Sequence, residues 1–195
     1  GIALHAEKVI NVPAPNGALI EDFVFSATDG VHTLVKYVGE STEITLPASC
    51  NGKEYMLGTD IFDDSLEISG ISVGKGNKLY DSRENCNAVI ESATNLLLLG
   101  CKRSFVPRNV IGIGGNAFKN CKGLEASEIP YSMTNIDENA FYDCINLRSV
   151  TNFSHLEFVK GSDEYGGIAL HAEKVINVPA PNGALINDFV FSTID

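Results

Sequence analysis

Five cysteines are the residues of this sequence best suited to chemistry, as metal ligands, nucleophiles or disulfide partners. They are Cys50, Cys86, Cys101, Cys121 and Cys144. No Cys-x-x-Cys pair occurs and no histidines cluster near the cysteines, so the sequence does not predict a zinc site. A disulfide between Cys121 and Cys144 is one alternative. We favour buried free thiols, because these two cysteines occupy equivalent positions of a repeat, where parallel side chains have poor disulfide geometry.

Histidines and carboxylates could support hydrolysis or cation binding. The histidines are His5, His32, His155 and His171. Pairing any of them with a serine and an aspartate would be arbitrary, so we assign them structural or surface roles. The candidate carboxylates are Asp60, Asp63, Asp64 and the pair Asp163-Glu164. Paired glycosidase carboxylates or a calcium site are conceivable, but the Asp-x-Asp-x-Asp-Gly loop is missing. We favour solvated loop charge.

A nucleotide-binding loop is a further chemical alternative. Gly112, Gly114 and Gly115 lack the Gly-x-Gly-x-x-Gly spacing of such a loop, and the repeat described below accounts for them as a turn between strands. The sequence therefore predicts a protein that is not an enzyme and needs no cofactor and no metal.

Composition and charge limit the class of partner. The 195 residues carry a formal net charge of −11 and are 44% hydrophobic, which is enough to form a core. An acidic protein repels phosphate backbones and anionic lipid surfaces, so we expect no nucleic acid partner. The longest apolar run is Leu96 to Leu99, far shorter than a membrane-spanning helix. We expect no membrane insertion, and the opening residues do not form a signal peptide.

The largest internal feature is a long duplication. Residues 1–20 and 167–186 are identical, and the match continues to Asp29 and Asp195 with three differences. The offset is constant, since Gly1 returns as Gly167 and Asp29 returns as Asp195. We interpret the sequence as one period of a tandem array followed by the start of the next, in which residues 167–195 duplicate residues 1–29.

A shorter repeat predicts the fold. The residues that return after 23 positions are Ile113 as Ile136, Ala117-Phe118 as Ala140-Phe141, Cys121 as Cys144, and Leu124 as Leu147. This period is typical of a leucine-rich repeat. We predict a β-rich leucine-rich-repeat solenoid with short helical or 3-10 turns. Residues 101–153 form the regular repeats, residues 1–100 form irregular coils and hairpins that continue the solenoid, and residues 154–195 begin the next unit.

The repeat also predicts which side chains face inward. In Leu-x-x-Leu-x-Leu the first, fourth and sixth positions point into the core, and the residues between them face solvent. The inward residues are Leu124, Ser127 and Ile129, then Leu147, Val150 and Asn152. Ser127 and Asn152 are imperfect at such positions. The outward pairs are Arg103 and Phe105, Ala126 and Glu128, and Ser149 and Thr151. We expect these pairs to form adjacent columns on a concave sheet.

Such a concave sheet is the surface that solenoids commonly use for binding. An exposed Phe105 beside Arg103 suits a contact hot spot. The sequence therefore predicts a ligand-binding face that contains Arg103, Phe105, Glu128, Ser149 and Thr151.

The first hundred residues contain hairpin signals. Asp29-Gly30 lies between the apolar segments 23–25 and 31–38, which predicts a hairpin. A second hairpin is expected from residues 88–90 and 96–99, and residues 42–46 alternate like a strand. The last strand, residues 189–191, lacks the return strand of its first copy. Self-association through this bare edge is therefore expected.

The pattern Ile-x-x-x-Ala-Phe-x-x-Cys-x-x-Leu resembles that of the BspA-like leucine-rich-repeat proteins. Residues 113–130 and 136–150 carry it, and residues 29–47 and 80–107 are similar to variant units of that family. The resemblance implies a secreted or cell-surface bacterial protein that adheres to a protein or glycan ligand on a host or a neighbouring cell. The alternative is an accessory or spacer region of a larger secreted enzyme, such as a carbohydrate-active one.

Overall fold

Short runs of alternating and β-branched residues, separated by turn residues, determine the secondary structure of this chain. The computed structural model describes residues 17–62 and 67–178, together with the backbone of residues 185–186 and 189–190. His5, Asp63 and Asp64 lie outside the described residues, as does the last residue of the predicted strand 189–191.

Strands and turns make up nearly all of the described regular structure. The only helical segments in these residues are two 3-10 turns, Arg83–Asn85 and Tyr165–Gly167. The strands are β1 (Ala18–Ile20), β2 (Phe23–Thr28), β3 (Val31–Tyr37), β4 (Glu43–Leu46), β5 (Tyr55–Leu57), β6 (Gly70–Val73), β7 (Tyr80–Asp81), β8 (Val89–Glu91), β9 (Leu96–Leu99), β10 (Gly112–Ile113), β11 (Ala126–Ile129), β12 (Asn135–Ile136), β13 (Ser149–Asn152), β14 (Lys174–Asn177), β15 (Leu185–Ile186) and β16 (Phe189–Val190). None of the described helices is long and apolar enough to cross a membrane.

Parallel strands stack into the first wall of a solenoid. Strand β4 pairs with β6, and β11, β13 and β14 pair in the order of the chain. The same hydrogen bonds begin each of these pairs: the backbone carbonyls of Thr42, Glu125 and Arg148 each accept two consecutive N–H groups from the next coil. The structure is a β-solenoid of about six turns, and the predicted fold class is confirmed.

The opposite wall is shorter and carries the stacked phenylalanines of the regular repeats. Strands β9, β10 and β12 pair in parallel at the two residues that precede each turn. The repeated phenylalanines Phe118 and Phe141 follow these strands and are 2% exposed. Their rings stack with centroids 4.9 Å apart and an interplanar angle of 5°. The constant period of the repeat therefore places one phenylalanine over the next.

The first coils contain two β-hairpins, as the sequence predicts. Strands β2 and β3 pair antiparallel around Asp29-Gly30, and β8 pairs antiparallel with β9. Both predicted hairpins and the predicted strand at 42–46 are confirmed. The side chains of the first four strands pack in a core separate from that of the regular repeats.

The two copies of the long duplication pair their strands in the same way. Strand β15 pairs with β16 in the register that joins β1 to β2, since Leu185 opposes Val190 just as Leu19 opposes Val24. Stacking continues without interruption beyond residue 153, because β14 pairs with β13 along its whole length. The coils are counted by their segments in the first wall, in the order β4, β6, residues 103–106, β11, β13 and β14. The first part of the duplicated segment therefore forms the sixth coil.

Candidate ligand-binding face

The outward side of the first wall forms one surface, which we call the strand face. It comprises the exposed side of β4, β6, β11, β13 and β14, together with the segment Arg103–Val106. Ala126, Ser149 and Lys174 are aligned across three coils, and Glu128, Thr151 and Ile176 are aligned beside them. The structure therefore brings together the predicted columns of residues on β11 and β13.

Arg103 and Phe105 differ from expectation, because they do not lie on a strand. Backbone N–H and carbonyl groups of this segment form hydrogen bonds with residues 86–87. The Phe105 N–H donates to the carbonyl of Cys86 at 3.1 Å, and the Asn87 amide donates to the carbonyl of Arg103 at 3.4 Å. The segment still lies beside β6, since the Lys102 N–H donates to the carbonyl of Ile68 at 3.5 Å.

Arg103 reaches back along the strand face. Its guanidinium pairs with the carboxylate of Glu43 and donates to the carbonyl of Ser69 at 2.6 Å. The Arg103 side chain passes over Gly70, where an added Cβ would lie 2.9 Å from Nη2 of Arg103. The pair is exposed, with 52% of the arginine and 67% of the glutamate side chain accessible, so it contributes about 1 kcal/mol or less to stability.

Phe105 and Ile176 are the large exposed apolar residues of the strand face as described. Phe105 is 45% exposed, and it lies between coils whose exposed strand residues include Ser72, Ala126 and Glu128. On β4 and β6, the hydroxyl groups of Thr45 and Ser72 are 2.7 Å apart. Glu128 is exposed, whereas Ser149 and Thr151 are half-buried. A face that carries both an aromatic ring and hydroxyl groups can offer apolar contact and hydrogen bonds.

Asn152, one of the two imperfect core residues, has a clear structural role beneath this face. It is 0% exposed. Its side-chain amide donates to the carbonyl of Leu156 and to Oδ1 of Asn177, the latter at 2.8 Å. Its Oδ1 accepts hydrogen bonds from both the N–H and the hydroxyl of Ser154. The buried amide is fully paired, so it ties the fifth coil to the sixth.

Residues 70–74, Gly-Ile-Ser-Val-Gly, match the Gly-x-Ser-x-Gly motif of a serine hydrolase nucleophile. Such a serine sits on a sharp turn from a strand to a helix. Here Ser72 lies inside β6, and its hydroxyl pairs with Thr45. The strand geometry is that of a solenoid coil and does not provide the nucleophile turn.

The other chemical candidates are dispersed. No group of three or more His, Cys, Asp or Glu residues suited to a metal ion occurs in the described part of the chain. Asp60 pairs with Lys119, with 2.7 Å between Oδ1 and Nζ. His32 lies in β3, and the backbone carbonyl of His171 accepts a hydrogen bond from Arg148.

The five cysteines are free thiols in the structure. Cys121 and Cys144 occupy equivalent turns, as predicted, since their N–H groups donate to the carbonyls of Phe118 and Phe141 respectively. The Cys144 thiol donates to the carbonyl of Phe118 at 3.0 Å. Burial raises the pKa of Cys144 to about 12 and that of Cys86 to about 11, and it also raises the pKa of Cys121.

These thiols give a testable pH dependence. The pKa of an unfolded cysteine is about 8.5, so the folded state holds its protons more tightly. The stabilisation is complete below that value and is lost as the pH rises toward the folded pKa. We expect the free energy of unfolding, measured in urea, to fall between about pH 8 and about pH 11. Iodoacetamide should modify Cys86 and Cys144 much more slowly in the native protein than in urea. Equal rates in the two states would contradict the burial of these sulfurs.

The family of the repeats follows from a comparison with family models. The model described as "BspA type Leucine rich repeat region (6 copies)" matches residues 100–162. Residues 100–162 are BspA-type leucine-rich repeats. The match starts at the coil of Arg103 and Phe105 and ends shortly before the 3-10 turn Tyr165–Gly167. It confirms the resemblance in the sequence.

Solved structures also match the chain. It is similar to a leucine-rich repeat protein from Eubacterium ventriosum, with 14% identity, a TM-score of 0.37, and coverage of 61% of this chain and 38% of that one. The pneumococcal vaccine antigen PcpA matches with 13% identity, a TM-score of 0.38, and coverage of 74% and 43%. A leucine rich cell surface protein from Faecalibacterium prausnitzii matches with 16% identity, a TM-score of 0.36, and coverage of 84% and 51%. The matches thus span about half or less of those chains. No curated protein matches.

Proposed function

We propose that this chain is a non-enzymatic repeat scaffold at a bacterial cell surface, which binds a protein or glycan ligand through the strand face. The observation that carries the proposal is the alignment of outward residues in adjacent columns on β11, β13 and β14. Repeat solenoids commonly bind ligands on such an extended surface. The BspA-type repeats support the location at the cell surface.

The chemistry of the strand face supports an uncharged or weakly charged ligand. Phe105 provides an accessible ring, and aromatic residues are enriched among binding hot spots. Ser149 and Thr151 can donate and accept hydrogen bonds. Glu128 provides a negative charge, while the charges of Arg103 and Glu43 compensate one another. A ligand with apolar contact area and hydroxyl or amide groups fits this surface.

A binding screen tests the proposal. The 195-residue chain is exposed to host matrix proteins and to a glycan array, beside Phe105→Ala, Glu128→Lys and Thr151→Ala. Tyr142→Ala is the matched control, because Tyr142 is 58% exposed and lies on a turn after Phe141, outside the strand face. We expect saturable binding that is weakened at least tenfold by Phe105→Ala and is unchanged by Tyr142→Ala.

Two outcomes contradict the proposal. Binding that all variants retain would move the site away from the strand face. An absence of binding at high concentration would favour the alternative, an accessory or spacer region of a larger secreted protein.

Arg103→Ala belongs in the same series, and its exposed ion pair is weak enough for the variant to remain folded.

A further inference from the structure

The sixth coil is made by a segment that the chain carries twice. Residues 167–178 are identical to residues 1–12. In the structure, the second copy stacks on the fifth coil, where β14 pairs with β13. Every contact that this copy makes is therefore one that a second molecule can make with its first copy.

Residues 167–178 pack on the fifth coil at a surface that we call the seat. The contacts of this segment at the seat are specific and largely apolar. Ile168, Ala169 and Ala172 are at most 5% exposed and belong to the core of the regular repeats. Val175 packs against the same core. Their counterparts in the first copy are Ile2, Ala3, Ala6 and Val9. The buried face of the coil is thus encoded in full by residues 1–12.

The polar contacts of the seat are equally reproducible. The backbone carbonyl of Arg148 accepts two consecutive N–H groups of the segment, and that of Asn152 accepts the N–H of Val178. The side chain of Asn177 pairs with Asn152 and with both the N–H and the carbonyl of Phe158. All of these partners lie before residue 167, so they stay in the receiving molecule. Asn11 is the counterpart of Asn177.

We propose that the N-terminal segment, residues 1–12, binds the β13 edge of a second copy of this chain in the place of residues 167–178. A molecule's own first copy is attached at the opposite end, beside β1, which packs in the other core. Only five residues separate Val12 from Ala18, and they span at most about 18 Å. The contact is head-to-tail, so it generates a series of oligomers, open chains or closed rings according to the rotation between molecules.

We expect the intact chain not to associate through this contact, because its own second copy already packs on β13. A tethered segment competes at an effective concentration of millimolar order, far above the protein concentration. Self-association therefore requires that residues 167–178 be displaced or disabled. The duplication then acts as an exchangeable coil that joins one molecule of this chain to another.

The test disables one copy at a time in the full chain. Ile168→Asp places a charge in the buried face of the second copy and leaves the first copy intact. We expect this variant to form a concentration-dependent series of oligomers by analytical ultracentrifugation, while the parent and Ile2→Asp remain monomeric. The double variant, Ile2→Asp with Ile168→Asp, should also remain monomeric. Association of the double variant as strong as that of Ile168→Asp would indicate non-specific aggregation and overturn the proposal.

A peptide provides a second measurement. A synthetic peptide with the sequence of residues 1–12 should bind Ile168→Asp and dissociate its oligomers, because it fills the vacant seat. The same peptide with Ile2→Asp should bind at least tenfold more weakly. A monomeric Ile168→Asp that does not bind the peptide would also overturn the proposal. Ligand binding by the strand face does not enter either readout.

Discussion

Replacing Phe118 with alanine is expected to lower the free energy of unfolding by about 3–5 kcal/mol. Phe118 is 2% exposed and stacks on Phe141, so its removal leaves a cavity between two coils. A Cβ atom added at Gly100 would lie 2.1 Å from Cε1 of Phe118. The Phe118 ring therefore also fills the space against the coil that contains Gly100. The measurement is urea unfolding followed by circular dichroism.

A graded series checks the reason for this effect. Phe118→Leu keeps most of the buried volume, so we expect a cost of about half that of alanine. Tyr142→Ala removes an aromatic ring that is 58% exposed, and we expect a change of about 0.5 kcal/mol or less. Equal effects of Phe118→Ala and Tyr142→Ala would contradict the stacked wall.

The second large effect concerns Asn152. The repeat pattern favours leucine at this position, yet we expect Asn152→Leu to destabilise the protein by about 2–4 kcal/mol. The substitution removes the partners of Leu156, Ser154 and Asn177, and buried polar groups left without partners are costly. Urea unfolding measures the difference.

Ser127→Val is the matched control for Asn152→Leu. Ser127 lies directly opposite Val150 in the paired strands, so valine at this position repeats the residue of the next coil. The change adds apolar contact to the core, and we expect it to be neutral or slightly stabilising. A stabilising Asn152→Leu, comparable with Ser127→Val, would show that the asparagine network contributes nothing.

The fold of the regular repeats was predictable because its period is constant. Ile113 and Ile136, like Phe118 and Phe141, are separated by one period and lie in contact on the same wall. Turn chemistry is local as well, so Asp29-Gly30 was sufficient to predict the hairpin of β2 and β3. Patterns of this kind need no knowledge of distant contacts.

The earlier coils were harder to predict because their spacing varies. Strand β4 pairs with β6 so that Glu43 opposes Gly70, a longer spacing than the period of the regular repeats, and within the two strands only Ile44 and Ile71 are identical. The candidate site shows the same limit. The columns on β11 and β13 follow from the period, whereas the departure of Arg103 and Phe105 from strand geometry depends on the Cys86–Asn87 loop.

The sequence pattern did not reveal the structural role of Asn152, for a related reason. Its four hydrogen bonds join residues that lie up to 25 positions apart. A pattern of apolar positions cannot distinguish an unpaired amide from a fully paired one. The one available signal was a second asparagine, Asn177, at the same position of the next coil.

The parallel pairing of successive coils has a mechanical consequence. Hydrogen bonds between β11, β13 and β14 run along the stacking axis, so tension applied along that axis loads them in series. Bonds loaded in this direction open one coil at a time from an end, whereas sheared strands must break together. A stack of such coils extends by peeling and recovers by restacking, since each coil contacts only its neighbours. We expect the protein under load to be a compliant tether whose length changes in increments of one coil.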